Sequence, residues 1–231
     1  STNDEALGLA GAGAPEGTLV IADQQTAGRG RQRRRWVAAP GDNLLFSLIL
    51  RPPLAPAQVG RVTMLCGLAA ADACQEVAGV WAGLKWPNDL LLGDRKLAGI
   101  LTEMACTGEG VDYLVVGIGI NVNTDARHLP HGAVSLKAAS AGRAVARVAL
   151  ARRLIEALDG WYAVLKTKGF DPVIREWKRH TAMIGSRIKV ALPGRHIEGH
   201  VHDVDPDGCL VLRLDSGILR RVSSGDVLLV R

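Results

Sequence analysis

The sequence predicts an α+β protein in which helices pack on a mixed β-sheet and a small antiparallel β-barrel follows. Short apolar runs bounded by turn residues predict the strands, and longer stretches with apolar residues three and four apart predict the helices. Near residue 182 the pattern changes to short strands separated by glycine-containing turns, which predicts a barrel of about five strands. The expected domains are therefore residues 1–181 and residues 182–231.

Each element follows from its local sequence. Ser1, Thr2 and Asn3 precede Asp4 and Glu5, and polar caps followed by acidic residues favour the start of a helix. The apolar run at 43–50 is nearly continuous, which is typical of a strand buried on both faces. Strands are predicted at residues 18–23, 43–50, 96–104 and 111–123, a hairpin turn at Gly93-Asp94, and helices at residues 55–77, 142–167 and 171–180.

Composition narrows the class of protein. A chain of 231 residues with 48% hydrophobic content can bury a sizeable core. The four cysteines have no paired spacing, so reduced thiols are expected rather than a metal site or disulfides. No apolar run reaches the roughly 18 residues that span a bilayer, and the chain starts without a signal-like segment. We therefore expect a cytoplasmic protein with no membrane span.

Residues 28–36, which we call the arginine loop, combine two glycines, five arginines and a final Trp36. The five arginines equal the net charge of the whole chain, +5, so the basicity is local. Glycine lets the backbone approach a ligand, guanidinium groups pair with carboxylate or phosphate, and Trp36 can stack on a planar heterocycle. A compact anion fits this loop better than a long nucleic acid, which favours spread charge. The alternative is a solvated charge run.

A second candidate group surrounds Lys85. Pro87 favours an extended conformation in the residue before it, so Lys85 is expected at a strand end with its amine in a cleft. Asn88 and Asp89 are predicted to form a turn and cap, and for Asp89 that structural interpretation is favoured.

Gly117 and Gly119 lie two apart on a predicted strand, so one face of that strand carries no side chains there. A ligand could lie on this bare face; a tight strand crossing is the alternative. The pattern is not a dinucleotide fingerprint, because no helix with a third glycine follows. Asn121 offers a carboxamide that suits the edge of adenine.

Three motifs together resemble the catalytic domain of biotin protein ligases: QTAGRGRQRRRW at 25–36, KWPNDLLLGDRKLAGILTE at 85–103 and GIGINVN at 117–123. They occur in the family's order and at similar spacing, and the resemblance extends from residue 1 to residue 231. It implies a biotin/lipoate ligase-like catalytic domain followed by an SH3-like barrel. It also implies a two-step reaction, in which ATP activates biotin as biotinyl-5′-AMP and a lysine of a biotin carboxyl carrier protein then accepts biotin.

The resemblance also implies roles for individual residues. Arg31 and Lys85 would be catalytic, bridging the biotin carboxylate and the α-phosphate. Mg²⁺ would accompany ATP, and no protein metal ligands are expected. The implied biotin-binding residues are Ser1, Thr2, Asn3, Gln25, Arg29, Gly30, Arg31, Lys85, Gly117 and Gly119. The implied ATP-binding residues are Arg31, Arg34, Trp36, Lys85 and Asn121.

The implied partner is the biotin carboxyl carrier protein of acetyl-CoA carboxylase or a related carboxylase. The sequence shows no N-terminal helix-turn-helix, so we expect no DNA binding, and it leaves the oligomeric state open, a homodimer included. One position departs from the family pattern, because Arg33 stands where glycine is usual. A positive φ there would strain the loop by roughly 1 kcal/mol or more.

Two other functions compete with this interpretation. Lipoate–protein ligase shares the superfamily and the adenylate chemistry, although the GRGR and KWPND motifs favour biotin. A non-catalytic nucleic-acid-binding module would use the arginine loop on phosphates and the C-terminal barrel on bases.

Overall fold

A computed structural model describes residues 1–108 and 110–229. The last two residues of the predicted domain 182–231 lie outside this description. The helices are α1 (Thr2–Gly11), α2 (Val59–Ala78), α3 (Leu136–Ala139), α4 (Arg147–Lys168) and α5 (Asp171–Arg179), with short 3₁₀ turns at Arg31–Arg33, Pro56–Gln58 and Ala126–His128. The strands are β1 (Leu19–Ala22), β2 (Leu44–Leu50), β3 (Gly83–Lys85), β4 (Asp89–Leu92), β5 (Arg95–Thr107), β6 (Gly110–Ile120), β7 (Arg187–Leu192), β8 (Arg195–Val204), β9 (Leu210–Arg213), β10 (Leu219–Val222) and β11 (Asp226–Leu229).

The first six strands form one sheet in the order β1-β2-β6-β5-β4-β3. The α+β class is confirmed, but the strand direction differs from the expected mixed sheet, because every ladder between these strands is antiparallel. Residues 86–88 alone separate β3 from β4, and the predicted turn at residues 93–94 separates β4 from β5. Such short links permit only antiparallel pairing. An isolated bridge between Lys96 and Ala133 is parallel.

Helices cover both faces of this sheet. On one face, α2 packs against α4 and against β3, β4 and β5, and alternate residues of β2 and β6 belong to the same, larger hydrophobic core. On the other face, Ala6 and Ala10 of α1 pack against Ile49 and Val115. Burial on both faces explains the continuous apolar run predicted at 43–50. We call the second side the α1 face, and Gly117 and Gly119 lie on it because they alternate with the residues that face α2.

The C-terminal residues form a second, antiparallel sheet with strand order β10-β9-β8-β7-β11. Its five strands agree with the predicted number, whereas closure into a barrel stays a prediction. Two salt bridges join this second sheet to helices of the preceding part of the chain. Arg61 of α2 pairs with Asp207 at 2.8 Å, and Lys178 of α5 pairs with Asp203 at 2.7 Å. None of the helices in the described ranges combines the length and apolarity that crossing a membrane requires.

The junction between the two sheets is centred on Trp86, which is 2% exposed. Its indole Nε1 donates a hydrogen bond of 3.0 Å to the carbonyl of Gly208, and its backbone N–H faces the sulfur of Met183. A buried indole thus joins the turn between β3 and β4 to the loop before β9.

We predict that Trp86→Phe lowers the free energy of unfolding by about 1–3 kcal/mol, because the buried carbonyl of Gly208 loses its donor. Urea denaturation measures this change. Trp81→Phe is the matched control: Trp81 is 60% exposed and stacks on His180, so its effect should stay within about 0.5 kcal/mol. Equal losses in the two variants would contradict the assigned bond.

Candidate active site

A cavity of about 610 Å³ opens on the α1 face of the first sheet. The arginine loop, the start of α1, the turn between β3 and β4, and the first residues of β11 surround it. The structure brings every residue that the sequence assigned to the site to the wall of this one cavity: Ser1, Thr2, Asn3, Gln25, Arg29, Gly30, Arg31, Arg34, Trp36, Lys85, Gly117, Gly119 and Asn121.

A row of cross-strand partners forms the floor of the cavity. Lys85 on β3 pairs with Asp89 on β4, Asp89 pairs with Gly99 on β5, and Gly99 pairs with Gly119 on β6. Directly paired residues project to the same side of a sheet, so the row runs from two charged side chains to two bare glycines. We call these four residues the floor row.

Trp36 covers the bare part of the floor row. A Cβ at Gly119 would lie 2.7 Å from the indole Cε2, and one at Gly99 would lie 3.1 Å from its Cζ3. A side chain at Gly119 would displace the indole, and one at Gly99 would crowd it. Trp36 Nε1 is buried and has no hydrogen-bond partner among the described residues, so it is a donor that a ligand could use.

The first turn of α1 lies beside Trp36, over Gly117. A Cβ at Gly117 would clash with the Asn3 side chain. Ser47 donates a 2.6 Å hydrogen bond to Asn3 Oδ1, and the backbone N–H of Thr2 donates a 2.8 Å bond to Gln25 Oε1. This polar network fixes the α1 terminus above the sheet and places amide and hydroxyl groups at the cavity wall.

The arginine loop folds back on itself as a tight hairpin. Trp36 N donates to the Gly28 carbonyl at 3.0 Å, and Gly30 N donates to the Arg34 carbonyl at 2.7 Å. The tip is left-handed, with φ of 53° at Gln32 and 61° at Arg33. Arg33 therefore has a positive φ at the position where the family usually has glycine. Glycine adopts this conformation without strain because it has no Cβ.

Charge in the cavity is strongly positive, because six cationic side chains line it against two acidic ones. Arg31 donates to the Gly225 carbonyl at 3.1 Å and lies 3.5 Å from Asp226, and Arg34 also pairs with Asp226. Asp226 was not predicted as a site residue, because it lies almost 200 residues from the loop in sequence and its SGD context indicates only a turn.

The charged residues near Lys85 in the floor row were also only partly predicted. Asn88 does lie in a turn, but the interpretation of Asp89 as a turn and cap residue is wrong, because Asp89 begins β4 and faces the cavity. Its Oδ1 lies 2.5 Å from Nζ of Lys96, a residue that was not predicted at all. Asp89 is the last residue of the KWPND motif, and its place in this motif could have indicated that it belongs to the site.

Burial lowers the pKa of Lys85 from its ordinary value; Asp89 raises this pKa, and Lys96 and Arg34 lower it. Burial likewise lowers the pKa of Arg31, although a guanidinium stays charged. A partly desolvated lysine amid other cations is typical of a site that receives an anion.

Protein groups occupy four of the predicted ligand contacts. Asn3 lies over Gly117 and Trp36 over Gly119, where the sequence predicted a bare face for a ligand, and Arg29 and Asn121 bond to other residues. The Arg29 guanidinium donates a bidentate pair of hydrogen bonds to the Glu103 carboxylate, at 2.9 and 2.6 Å. It also forms a salt bridge of 2.8 Å with Asp4. Asn121 is 4% exposed and donates to the carbonyl of Val134 at 3.2 Å. Arg29 braces α1 against the sheet, and Asn121 retains its Oδ1 as an acceptor.

The described residues contain no cluster of three His, Cys, Asp or Glu side chains that could hold a metal ion. The two acids of the cavity, Asp89 and Asp226, are engaged by cations.

Comparison with known proteins agrees with this geometry. The sequence pattern of the biotin/lipoate A/B protein ligase family matches residues 1–121, and that of the biotin protein ligase C terminal domain matches residues 183–230. The chain belongs to the biotin protein ligase family. The resemblance drawn from the three motifs is confirmed.

Members of the family with similar chains include the biotin–[acetyl-CoA-carboxylase] ligase of Paracoccus denitrificans, 37% identical over 224 residues, which are 94% of this chain and 92% of that protein. The bifunctional ligase/repressor BirA of Bacillus subtilis is 36% identical over 231 residues, covering 98% of this chain and 70% of that one. Among solved structures, biotin protein ligase from Aquifex aeolicus in complex with biotin and ATP superposes with a TM-score of 0.83. It is 26% identical, and the match covers 100% of this chain and 95% of that one.

The left-handed conformation at Arg33 leads to a prediction. Arg33→Gly should raise the free energy of unfolding by about 1 kcal/mol, because it removes a Cβ from a position with positive φ. Arg35→Gly also removes one charge, but it does so in the extended segment that bridges to Arg29. That control should lower the stability, and thermal denaturation measures both. A shift of the same sign in the two variants would contradict the assignment of strain to Arg33.

Proposed function

We propose that this chain activates biotin with ATP to biotinyl-5′-AMP and then transfers biotin to a lysine of a biotin carboxyl carrier protein. The observation that carries the proposal is the convergence of Arg31, Arg34 and Lys85 on one cavity, beside a glycine floor on which the Trp36 indole lies. Such a site suits a flat ring and two anions. We assign both steps to a catalytic domain at residues 1–181, which an SH3-like C-terminal domain at residues 182–231 follows.

In the first step, a carboxylate oxygen of biotin attacks the α-phosphorus of ATP and pyrophosphate leaves with the electron pair of the broken bond. Both reactants are anions, so their approach is opposed by charge repulsion. We propose that Arg31 and Lys85 bridge the carboxylate and the α-phosphate, and that they stabilise the additional charge of the transition state. Mg²⁺ would enter as part of the substrate, bound to the ATP phosphates.

Substrate binding is proposed along the two sides of this cation pair. Biotin would lie toward the α1 terminus, where Ser1, Thr2, Asn3, Gln25, Arg29, Gly30, Gly117 and Gly119 line the wall. ATP would lie toward Arg34, Trp36 and Asn121, with the adenine ring near the indole. Trp36 Nε1, which has no hydrogen-bond partner in the described part of the chain, supports this side as a ligand surface.

In the second step, the lysine amine of the carrier attacks the acyl carbon of the mixed anhydride, and AMP leaves. No protein nucleophile is required, since the anhydride is already activated. The proposed partner is the carrier protein of acetyl-CoA carboxylase or a related carboxylase, in the cytoplasm. This function is compatible with a homodimer and needs no DNA.

The two competing functions receive less support. Lipoate ligation shares the adenylate chemistry, but the match of residues 183–230 to a biotin protein ligase domain favours biotin. A nucleic-acid-binding module would present its cations on an open face, whereas Arg31 and Arg34 lie at a cavity and pair with Asp226. Incubation with ATP, a carrier domain and labelled biotin or labelled lipoate separates the functions, because the proposal expects incorporation of biotin alone.

We predict that Lys85→Ala and Arg31→Ala each reduce biotin-dependent ATP–pyrophosphate exchange by about 10²–10³-fold, the usual cost of losing one preorganised donor. Arg152→Ala removes a cation from the exposed side of α4, where its side chain is 79% exposed, and serves as the control with unchanged exchange. Exchange at the wild-type rate in either cavity variant would refute the catalytic assignment.

A further inference from the structure

Glu103 is a charged residue that lies beside the cavity without lining it. On β5 it pairs with Val115, and Val115 pairs with Ile49, so the three side chains share the α1 face. Val115 and Ile49 are fully buried under α1, whereas the side chain of Glu103 is 27% exposed. A carboxylate at the end of an apolar row needs hydrogen-bond donors to offset its desolvation.

Three hydrogen bonds from two other elements meet this carboxylate. The Arg29 guanidinium of the arginine loop donates through Nη1 at 2.9 Å and through Nη2 at 2.6 Å. Asn3 of α1 donates through Nδ2 at 2.7 Å. Arg29 and Asn3 both line the cavity, and they lie 74 and 100 residues from Glu103 in the sequence. One side chain therefore ties the loop and the helix to the sheet.

The Asn3 side chain has little freedom once it is bonded to Glu103. Its Nδ2 also donates to the Leu101 carbonyl at 3.2 Å, and its Oδ1 accepts a 2.6 Å hydrogen bond from Ser47. The side chain fills the space above Gly117, and the residue is 3% exposed. Both polar atoms of the Asn3 carboxamide thus have protein partners, and these bonds fix the start of α1 at the cavity wall.

On the loop side, Arg29 belongs to the stem of the hairpin. It bridges to Arg35, which directly precedes Trp36. Asp4 of α1 also pairs with Arg29, at 2.8 Å, but the Asp4 side chain is 50% exposed and its charge is better screened by water. Glu103 is therefore the partner that holds the loop stem to the sheet.

We propose that Glu103 is a positioning residue for biotin: its carboxylate joins the stem of the arginine loop to the first turn of α1, so that both walls of the proposed biotin side are set before biotin enters. This inference rests on the proposed function. Glu103 transfers no proton and touches no substrate, because it acts through Arg29 and Asn3. A wall that is already ordered spares biotin the cost of ordering it, and this raises the affinity.

The first test measures biotin binding and pyrophosphate exchange in Glu103→Gln. Glutamine keeps an oxygen for Asn3, but it loses the charge and cannot accept both bonds from Arg29. The Kd and the KM for biotin should rise about tenfold, the value of one charged hydrogen bond. The KM for ATP and the kcat at saturating biotin should stay unchanged. Tighter biotin binding would overturn the proposal, because Glu103 would then compete with biotin for Arg29. A fall in kcat with an unchanged KM for biotin would overturn it as well.

A second readout follows the loop without ligands and does not depend on activity. Trypsin cleaves after arginine, so the five arginines of the loop report how often the loop opens. Cleavage within residues 29–35, located by mass spectrometry, should be about tenfold faster in Glu103→Gln than in the wild type, because the open form gains population when the bidentate bond is lost. Cleavage at the wild-type rate would overturn the proposal. Faster cleavage with unchanged biotin affinity would also overturn it, because the loop and the biotin wall would then be uncoupled.

Glu76→Gln is the matched control, because Glu76 on α2 accepts a bidentate pair of hydrogen bonds from Arg153 of α4, at 2.5 and 2.6 Å, outside the cavity. It should leave biotin binding and loop cleavage unchanged. If Glu103→Gln does not fold, Arg29→Lys decides, since it keeps the charge and the trypsin site but loses the bidentate geometry. Wild-type biotin affinity and wild-type cleavage in that variant would overturn the inference. A wild-type protein that binds no biotin would refute the proposed function, whereas loop cleavage in Glu103→Gln would still decide whether Glu103 holds the loop.

Discussion

Six cations share one cavity wall, and their mutual repulsion is the constraint on which the rest of the site depends. Each unit charge at about 4 Å from another costs on the order of 1–4 kcal/mol between bulk water and a protein surface. The fold meets this constraint with carboxylates drawn from separate elements: Asp4 and Glu103 engage Arg29, Asp89 engages Lys96, and Asp226 engages Arg31 and Arg34. The counter-charges hold the cations in place while leaving them directed at one space.

The floor of the cavity shows a second constraint. A flat ring can lie on a sheet of apolar strands only where side chains are missing. Gly99 and Gly119 are cross-strand partners, so two missing side chains coincide and an indole lies on the backbone. The same face carries Ser47 and Asn3 farther along β2 and α1, where a hydrogen-bonded network replaces apolar packing. The opposite face of the strands holds the main core, so the site is built without loss of hydrophobic burial.

Much of this arrangement was predictable from the sequence, because short motifs encode local chemistry. Most of the arginine loop, the lysine before Trp86-Pro87 and the paired glycines line the cavity, although Gly28 and Arg33 are not among its lining residues. What the sequence could not indicate was contact between distant segments. Asp226 reaches the arginine loop only because the second sheet docks on the first. Lys96 faces the cavity because of its place on β5 and the space above Gly99, which no single motif reveals.

The central claim is that Arg31 and Lys85 meet the two reacting anions. A crystal structure of the protein with biotin and a non-hydrolysable ATP analogue measures this most directly. We expect a guanidinium nitrogen of Arg31 and Nζ of Lys85 within about 3 Å of the biotin carboxylate or the α-phosphate, the distance of a charge-assisted hydrogen bond. Both compounds bound in the cavity with Arg31 and Lys85 directed into solvent would contradict the account.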